Sequence, residues 1–223
     1  MTPEIVLLPS PLLGPAVWEP VAERLRERGQ TVSVARLPST VSSPAEVLAG
    51  FVAAVPDRRP VTLVPHSNAG LYVAELARQR RVTGIVFVDA AFPSRSAMTP
   101  VAPGYLVEHL LDLADERGVV PEWSRWWDEA DVAALFPDPE TRRRVEAEQR
   151  RLPIGYFTGW VPTPAGWDAT HPAYLAFGET YRDEVEAARE RGWPTLVTTG
   201  GHLQMLTDPD GVAALLTELL RER

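Results

Sequence analysis

Apolar residues in this chain fall into short continuous runs, separated by stretches in which they recur every third or fourth position. Ile5-Val6-Leu7-Leu8 is the first run, closed by Pro9-Ser10-Pro11. A segment so short and so uniformly apolar reads as a strand buried on both faces. Trp18, Val21, Ala22 and Leu25 then mark one side of a helix that Gly29 stops. The alternation goes on with a strand over 31–35, a helix over 44–55, a strand over 61–64, a helix carried by Val73, Leu76 and Ala77, and a strand over 85–88 that ends at Asp89. Strands alternating with helices predict βαβ crossovers, and so a mostly parallel α/β sheet with helices on both faces.

Between 91 and 172 the alternation stops. Helical stretches lie over 105–117 and 139–151, a proline-rich run covers 153–164, and tryptophans stand at 123, 126, 127, 160 and 167, five of the chain's seven. Without a convincing strand, this segment reads as a helical cap inserted over one edge of the sheet. Its tryptophans suit the insert's own core and the lining of an apolar pocket equally well. The alternation resumes with a strand over 174–177, a helix over 183–191 and a strand over 195–198. Asp208 then caps a last helix that starts at Pro209 and presents Val212, Leu215, Leu216 and Leu219. The expectation is one α/β domain over 1–223 with about six strands, and the cap at 91–172 within it.

Composition narrows the function. A chain of 223 residues, 45% of them hydrophobic, can fill one full-sized core. With no cysteine, neither a disulfide framework nor a thiolate metal site is available. A net charge of -8 argues against nucleic acid as partner, because phosphate binding needs clustered positive charge. Arg142-Arg143-Arg144 lies among Glu140, Glu146 and Glu148 and reads as a solvated helix face. No apolar run approaches the ~20 residues of a membrane span, and Met1-Thr2-Pro3-Glu4 lacks the basic region of a leader. The expected location is the cytoplasm, with no membrane partner.

The candidate chemistry centres on Val61 to Gly70, VTLVPHSNAG, where a strand runs into a turn with Ser67 at its apex and a helical pattern follows. A serine hydroxyl is a poor nucleophile at neutral pH, so a fold that uses one must hold it clear of its neighbours, beside a base and amide donors. A strand-to-helix elbow does this, and Ala69 is small enough for the usual G-x-S-x-G spacing. A helix-capping serine is the plainer reading of the same turn. In an open parallel sheet, functional groups gather at the carboxyl ends of strands. Three such ends carry Ser67, then Asp89 or Glu179, then His202, which is the order serine, acid, histidine. His66, His109 and His171 have no comparable support.

With these residues in view, the chain resembles the α/β-hydrolases, in particular the small methylesterase and hydroxynitrile-lyase type. The likeness rests on the Ser67 elbow, the loop over 9–18, Val88-Asp89-Ala90-Ala91-Phe92-Pro93 and Gly200-Gly201-His202-Leu203-Gln204-Met205-Leu206. The resemblance implies that the chain lacks the two leading antiparallel strands of larger members. It also implies Ser67 as nucleophile and His202 as general base. Glu179, just after the next-to-last strand, is preferred as the acid, although Tyr181 stands where the family spells aspartate; Asp89 is the alternative. One oxyanion donor is the amide of Asn68. The other should come from the loop after the first strand, where Pro11 has no amide hydrogen, which leaves Leu12 in a shifted loop or a single donor.

The implied activity is a serine hydrolase that cleaves an ester, thioester or lactone of a small to medium apolar acyl compound. The small-molecule substrate is the one partner implied, with no metal or organic cofactor. Two alternatives stand beside it: a cyclase, lyase or tailoring enzyme using the same site, and a ligand-binding pseudo-hydrolase.

Overall fold

The computed structural model describes residues 3–221. Met1 and Thr2, half of the segment in which no leader was read, and the last two positions of the domain expected over 1–223 lie outside the described residues.

Strand β1 (Glu4–Leu8) is followed by helix α1 (Glu19–Glu27), β2 (Val32–Val34), α2 (Pro44–Ala54), β3 (Val61–Ser67), α3 (Val73–Gln79) and β4 (Val82–Ala90). After an intervening segment come β7 (Pro172–Phe177), α8 (Arg182–Glu190), β8 (Thr195–Thr198), α9 (Gln204–Thr207) and α10 (Pro209–Arg221). The segment itself holds β5 (Met98–Pro100), α4 (Gly104–Leu113), α5 (Glu129–Ala133), α6 (Pro139–Glu146), α7 (Ile154–Phe157) and β6 (Trp160–Pro162). Among the described residues the main sheet has six strands in the order β2-β1-β3-β4-β7-β8, every neighbouring pair parallel. The α/β expectation therefore holds in class, strand number and direction.

The helices face the sheet with the residues their spacing predicts. Val21, Ala22 and Leu25 of α1 are buried, as are Val212, Leu216 and Leu219 of α10. The Asp208 carboxylate accepts the Gly211 N–H at 2.9 Å, which satisfies one of the amide donors that every helix start leaves open. Helix α4 ends at Leu113 and α6 at Glu146, short of the predicted 117 and 151, where turns through Asp115 and Gly118 and a run towards Pro153 interrupt them.

The sheet's order explains where a site can form. From β1 the chain moves outward to β2, then crosses back to lay β3 on the other side of β1. The loops leaving β1 and β3 diverge to opposite faces and open a crevice between their carboxyl ends, the usual binding position in such sheets. Ser67 ends β3 at that crevice.

The segment between β4 and β7 departs from the prediction in one respect. It contains strands, β5 and β6, paired antiparallel from Met98–Pro162 to Pro100–Trp160. The Thr99 and Thr163 hydroxyls meet at 2.7 Å beside the pair and help to hold the two ends of the segment together. Three residues each, bounded by prolines that cannot extend a ladder, give no period to read.

Candidate active site

Strand β3 runs through Pro65 to Ser67, further than predicted, and its pairing with β4 slips between His66 and Ser67. Ser67 then takes φ 57°, a left-handed conformation that costs a residue with a Cβ ~1–3 kcal/mol and persists only where the surroundings impose it. The 3-10 turn that follows, Asn68–Tyr72, packs closely against the end of β4 and the residue after it. A Cβ added at Gly70 would lie 1.9 Å from the carbonyl oxygen of Ala91, the residue just past β4, so only glycine lets the turn come this close. The result is a serine raised at the apex of a sharp elbow and 6% exposed.

Asp89, near the end of β4, is the second strained residue, at φ 42°, and its side chain is fully buried. One carboxylate oxygen, Oδ1, accepts the Phe177 N–H at 3.0 Å, and the other, Oδ2, accepts Nδ1–H of His202 at 2.6 Å. A carboxylate can only accept, so the proton sits on Nδ1 and Nε2 is the basic nitrogen of His202.

The carboxylate that meets His202 is therefore that of Asp89 and not that of Glu179, the residue preferred from the sequence. Glu179 pairs instead with Arg182 at 2.6 Å, with its side chain 75% exposed. Its place in the loop after β7 is the predicted one, but Gly178 at φ 68° turns the chain there. It is Tyr181 that reaches the serine: its hydroxyl lies 3.4 Å from Ser67 Oγ. Tyr181 therefore fills the position of the missing aspartate with a longer side chain and a different partner. Burial, the largest influence on its phenol, pushes the Tyr181 pKa up. Sequence reasoning noted this tyrosine as a departure from the pattern but not as a contact of Ser67.

His66 is also buried. Its Nε2–H donates to the carbonyl oxygen of His202 at 3.0 Å, and its ring lies 4.5 Å from the His202 ring and 6.0 Å from Trp18. Among the described residues Nδ1 has no hydrogen-bond partner. Burial and the neighbouring His202 hold its pKa well below the ordinary histidine value, so the ring is a neutral support under the His202 backbone. His109, by contrast, stacks on Trp127 and bonds the Trp126 carbonyl at 2.9 Å, and His171 sits in a left-handed turn before β7.

The loop after β1 is fixed from the far side. Arg150 donates to the carbonyls of Pro11 at 3.0 Å and Leu37 at 3.1 Å, and the Glu148 carboxylate accepts the Ala16 N–H at 2.6 Å. In this loop the Leu12 N–H meets, among the described residues, the Ser10 hydroxyl alone, at 3.4 Å, a long contact that a better acceptor could replace. Asn68 opens the turn after Ser67, where the first amides have no partner within the turn. The Asn68 side chain points the other way, with Nδ2–H donating to the Val101 carbonyl at 2.9 Å and Oδ1 accepting from the Tyr156 hydroxyl.

Ser67, Asn68, Leu12, Tyr181 and His202 all open onto one cavity of about 840 Å³. The segment between β4 and β7 supplies much of its wall, including Trp123, Trp126, Trp127, Leu106 and Phe157. Trp167 takes the other role that the sequence allowed. It packs edge-on to Phe87, 6.0 Å away, and to Trp193, 5.8 Å away, in the core beside the sheet, while Trp160 is exposed. Glu184, also on the cavity wall, has its carboxyl pKa raised, mainly by burial. Among the described residues no helix is long and apolar enough to cross a membrane.

No family model and no curated protein sequence matches this chain. Solved structures do match over nearly its whole length. An extracellular α/β-hydrolase from a Paenibacillus species, described as sharing structural and functional homology with tobacco salicylic acid binding protein 2, aligns with TM-score 0.76 at 15% identity, covering 98% of this chain and 99% of that one. Tomato methylketone synthase I, in a variant complexed with beta-ketoheptanoate, aligns with TM-score 0.76 at 14% identity, covering 100% and 98%. A pyrethroid hydrolase from Sphingobium faniae aligns with TM-score 0.68 at 20% identity, covering 99% and 98%. The chain has the α/β-hydrolase fold.

Proposed function

We propose that this chain of α/β-hydrolase fold is a serine hydrolase that cleaves an ester, thioester or lactone of a small to medium apolar acyl compound through an acyl-enzyme. The observation that carries the reading is that the strained Ser67 and His202, whose ring is held from behind by the buried Asp89, line the same aromatic-walled cavity. In this reading Nε2 of His202 takes the Ser67 proton as Oγ attacks the acyl carbon. Asp89 holds the ring in the tautomer that makes this possible and stabilises the imidazolium. The Asn68 and Leu12 amides receive the charge that develops on the acyl oxygen. The segment 91–172 acts as a cap, with Trp123, Trp126 and Phe157 offering an apolar surface to the acyl chain. Hydrolase and esterase names among the structural neighbours support the reaction class.

One observation favours a second reading, a lyase or other non-hydrolytic enzyme in the same site. The hydrogen bond that Ser67 makes goes to Tyr181, and Pro11 removes an amide from the loop that would stabilise a tetrahedral intermediate. Incubation with a fluorophosphonate separates the two. Hydrolysis through an acyl-enzyme predicts covalent labelling at Ser67, lost in Ser67→Ala. Folded protein that stays unlabelled, together with product formation that survives Ser67→Ala, would replace the first reading by the second.

A further inference from the structure

We propose that Tyr181 is a catalytic residue of this site, its phenolic O–H donating a hydrogen bond to the leaving-group oxygen of the substrate alongside His202. The inference rests on the serine-hydrolase reading and goes beyond it by giving a role to a residue outside the serine, histidine and acid.

Position comes first. The Tyr181 hydroxyl is 3.4 Å from Ser67 Oγ, and its ring centre is 5.7 Å from that of His202, so it stands on the histidine's side of the serine. Tyr181 belongs to the loop between β7 and α8, and β7 lies on the β4 side of β3. Leu12 leaves β1 on the opposite side of β3. An acyl group whose carbonyl oxygen turns towards the Leu12 and Asn68 amides must direct its other oxygen towards His202 and Tyr181. Among the described residues, the hydrogen bond to Ser67 is the one the phenol makes. A substrate oxygen arriving at the serine can take that bond over without breaking any other.

The proton accounting leaves the phenol intact. As the bond from Oγ to the acyl carbon forms, the Ser67 proton passes to Nε2 of His202. When the bond from that carbon to the alcohol oxygen breaks, Nε2–H returns the proton to the departing oxygen. Tyr181 keeps its own proton throughout and stabilises charge on that oxygen as it leaves. Burial, which raises the phenol's pKa, keeps it protonated and so a donor.

The test is a leaving-group series: esters of one short acyl chain, from p-nitrophenyl to methyl, assayed with untreated wild type and Tyr181→Phe, while separate samples of both are reacted with a fluorophosphonate to read labelling at Ser67. A p-nitrophenolate leaves without help, whereas an alkoxide does not. Tyr181→Phe is expected to lower kcat on the alkyl esters on the order of 10–10²-fold while p-nitrophenyl ester turnover changes less than about threefold, and Ser67 labelling is retained. The dependence of rate on leaving-group basicity is therefore steeper in the variant. An equal loss across the series, or none, would overturn the role of Tyr181. Wild type unlabelled at Ser67 would instead overturn the underlying reading. If the phenylalanine variant shows no cooperative thermal unfolding, Tyr181→Leu carries the same comparison.

Discussion

Nδ1 of His202 and Oδ2 of Asp89 lie 2.6 Å apart, in a pocket where the aspartate has no solvent exposure and its remaining oxygen is taken by the Phe177 amide. Each oxygen of that carboxylate thus has a partner, and the imidazole has one tautomer open to it. Asp89→Asn keeps the shape but can present an N–H to Nδ1, which forces the proton onto Nε2 and removes the base. The expected loss in kcat is about 10⁴-fold. Glu179→Gln, changed only at a solvated ion pair with Arg182, is expected to stay within about threefold. Both are measured on one activated ester; a severe loss in the Glu179 variant with little in the Asp89 variant would reverse the assignment.

Gly70 tests the elbow itself. Its missing Cβ leaves room for the Ala91 carbonyl, which would otherwise sit 1.9 Å away, and backbone on both sides leaves nothing flexible to yield. Gly70→Ala should therefore destabilise at the upper end of the ~1–3 kcal/mol typical of overpacking, or beyond it. Thermal unfolding of the variant beside wild type reads this directly. An unchanged melting temperature would mean that the turn does not press on β4 as described.

What could be read from the sequence was what repeats or punctuates locally. The buried strand Ile5–Leu8, the apolar faces of α1 and α10, the Asp208 cap and the Ser67 turn each declare themselves within a dozen residues. The choice between Asp89 and Glu179 could not be made that way. It depends on the left-handed backbone at Asp89 and on how far the Gly178 turn swings the next loop, which are decided by packing between β4, β7 and β8. The β5–β6 ribbon was hidden for a different reason, since two three-residue strands more than 50 positions apart leave no periodic trace. The tryptophans divided as only tertiary structure could divide them, Trp123 and Trp126 to the cavity wall and Trp167 to the core.

Arg150 offers a way to loosen the loop after β1 without touching the cavity. Its guanidinium holds the Pro11 and Leu37 carbonyls, and Pro11 cannot anchor itself through an amide. Arg150→Met keeps much of the side chain's bulk and removes both bonds. If the Leu12 amide serves the transition state, kcat should fall on the order of 10-fold with KM little changed, because a displaced donor weakens an interaction made after binding. Fluorophosphonate labelling of Ser67 should slow in step. A rise in KM at constant kcat would show instead that the loop shapes only the ground-state pocket.

His66 links the site to acid stability. Burial and the neighbouring His202 hold its pKa well below the ordinary value of 6.5, so in the interval between the two the unfolded chain carries a proton that the folded chain does not. Its share of stability is complete above pH 6.5 and is lost as the pH falls towards the depressed folded value, with a slope of at most about 1.4 kcal/mol per pH unit for one proton. His66→Gln keeps a donor for the His202 carbonyl and removes the titration. Urea unfolding at about pH 7.5 and about pH 5 should therefore show a smaller acid loss in the variant than in wild type, the remaining histidines cancelling in the comparison. Since the same side chain supports the His202 backbone, the variant's activity at the higher pH tells whether that support is a matter of packing or of the hydrogen bond. Equal pH slopes in the two proteins would mean that His66 titrates as an ordinary solvated histidine and that solvent reaches the space behind the loop that carries His202.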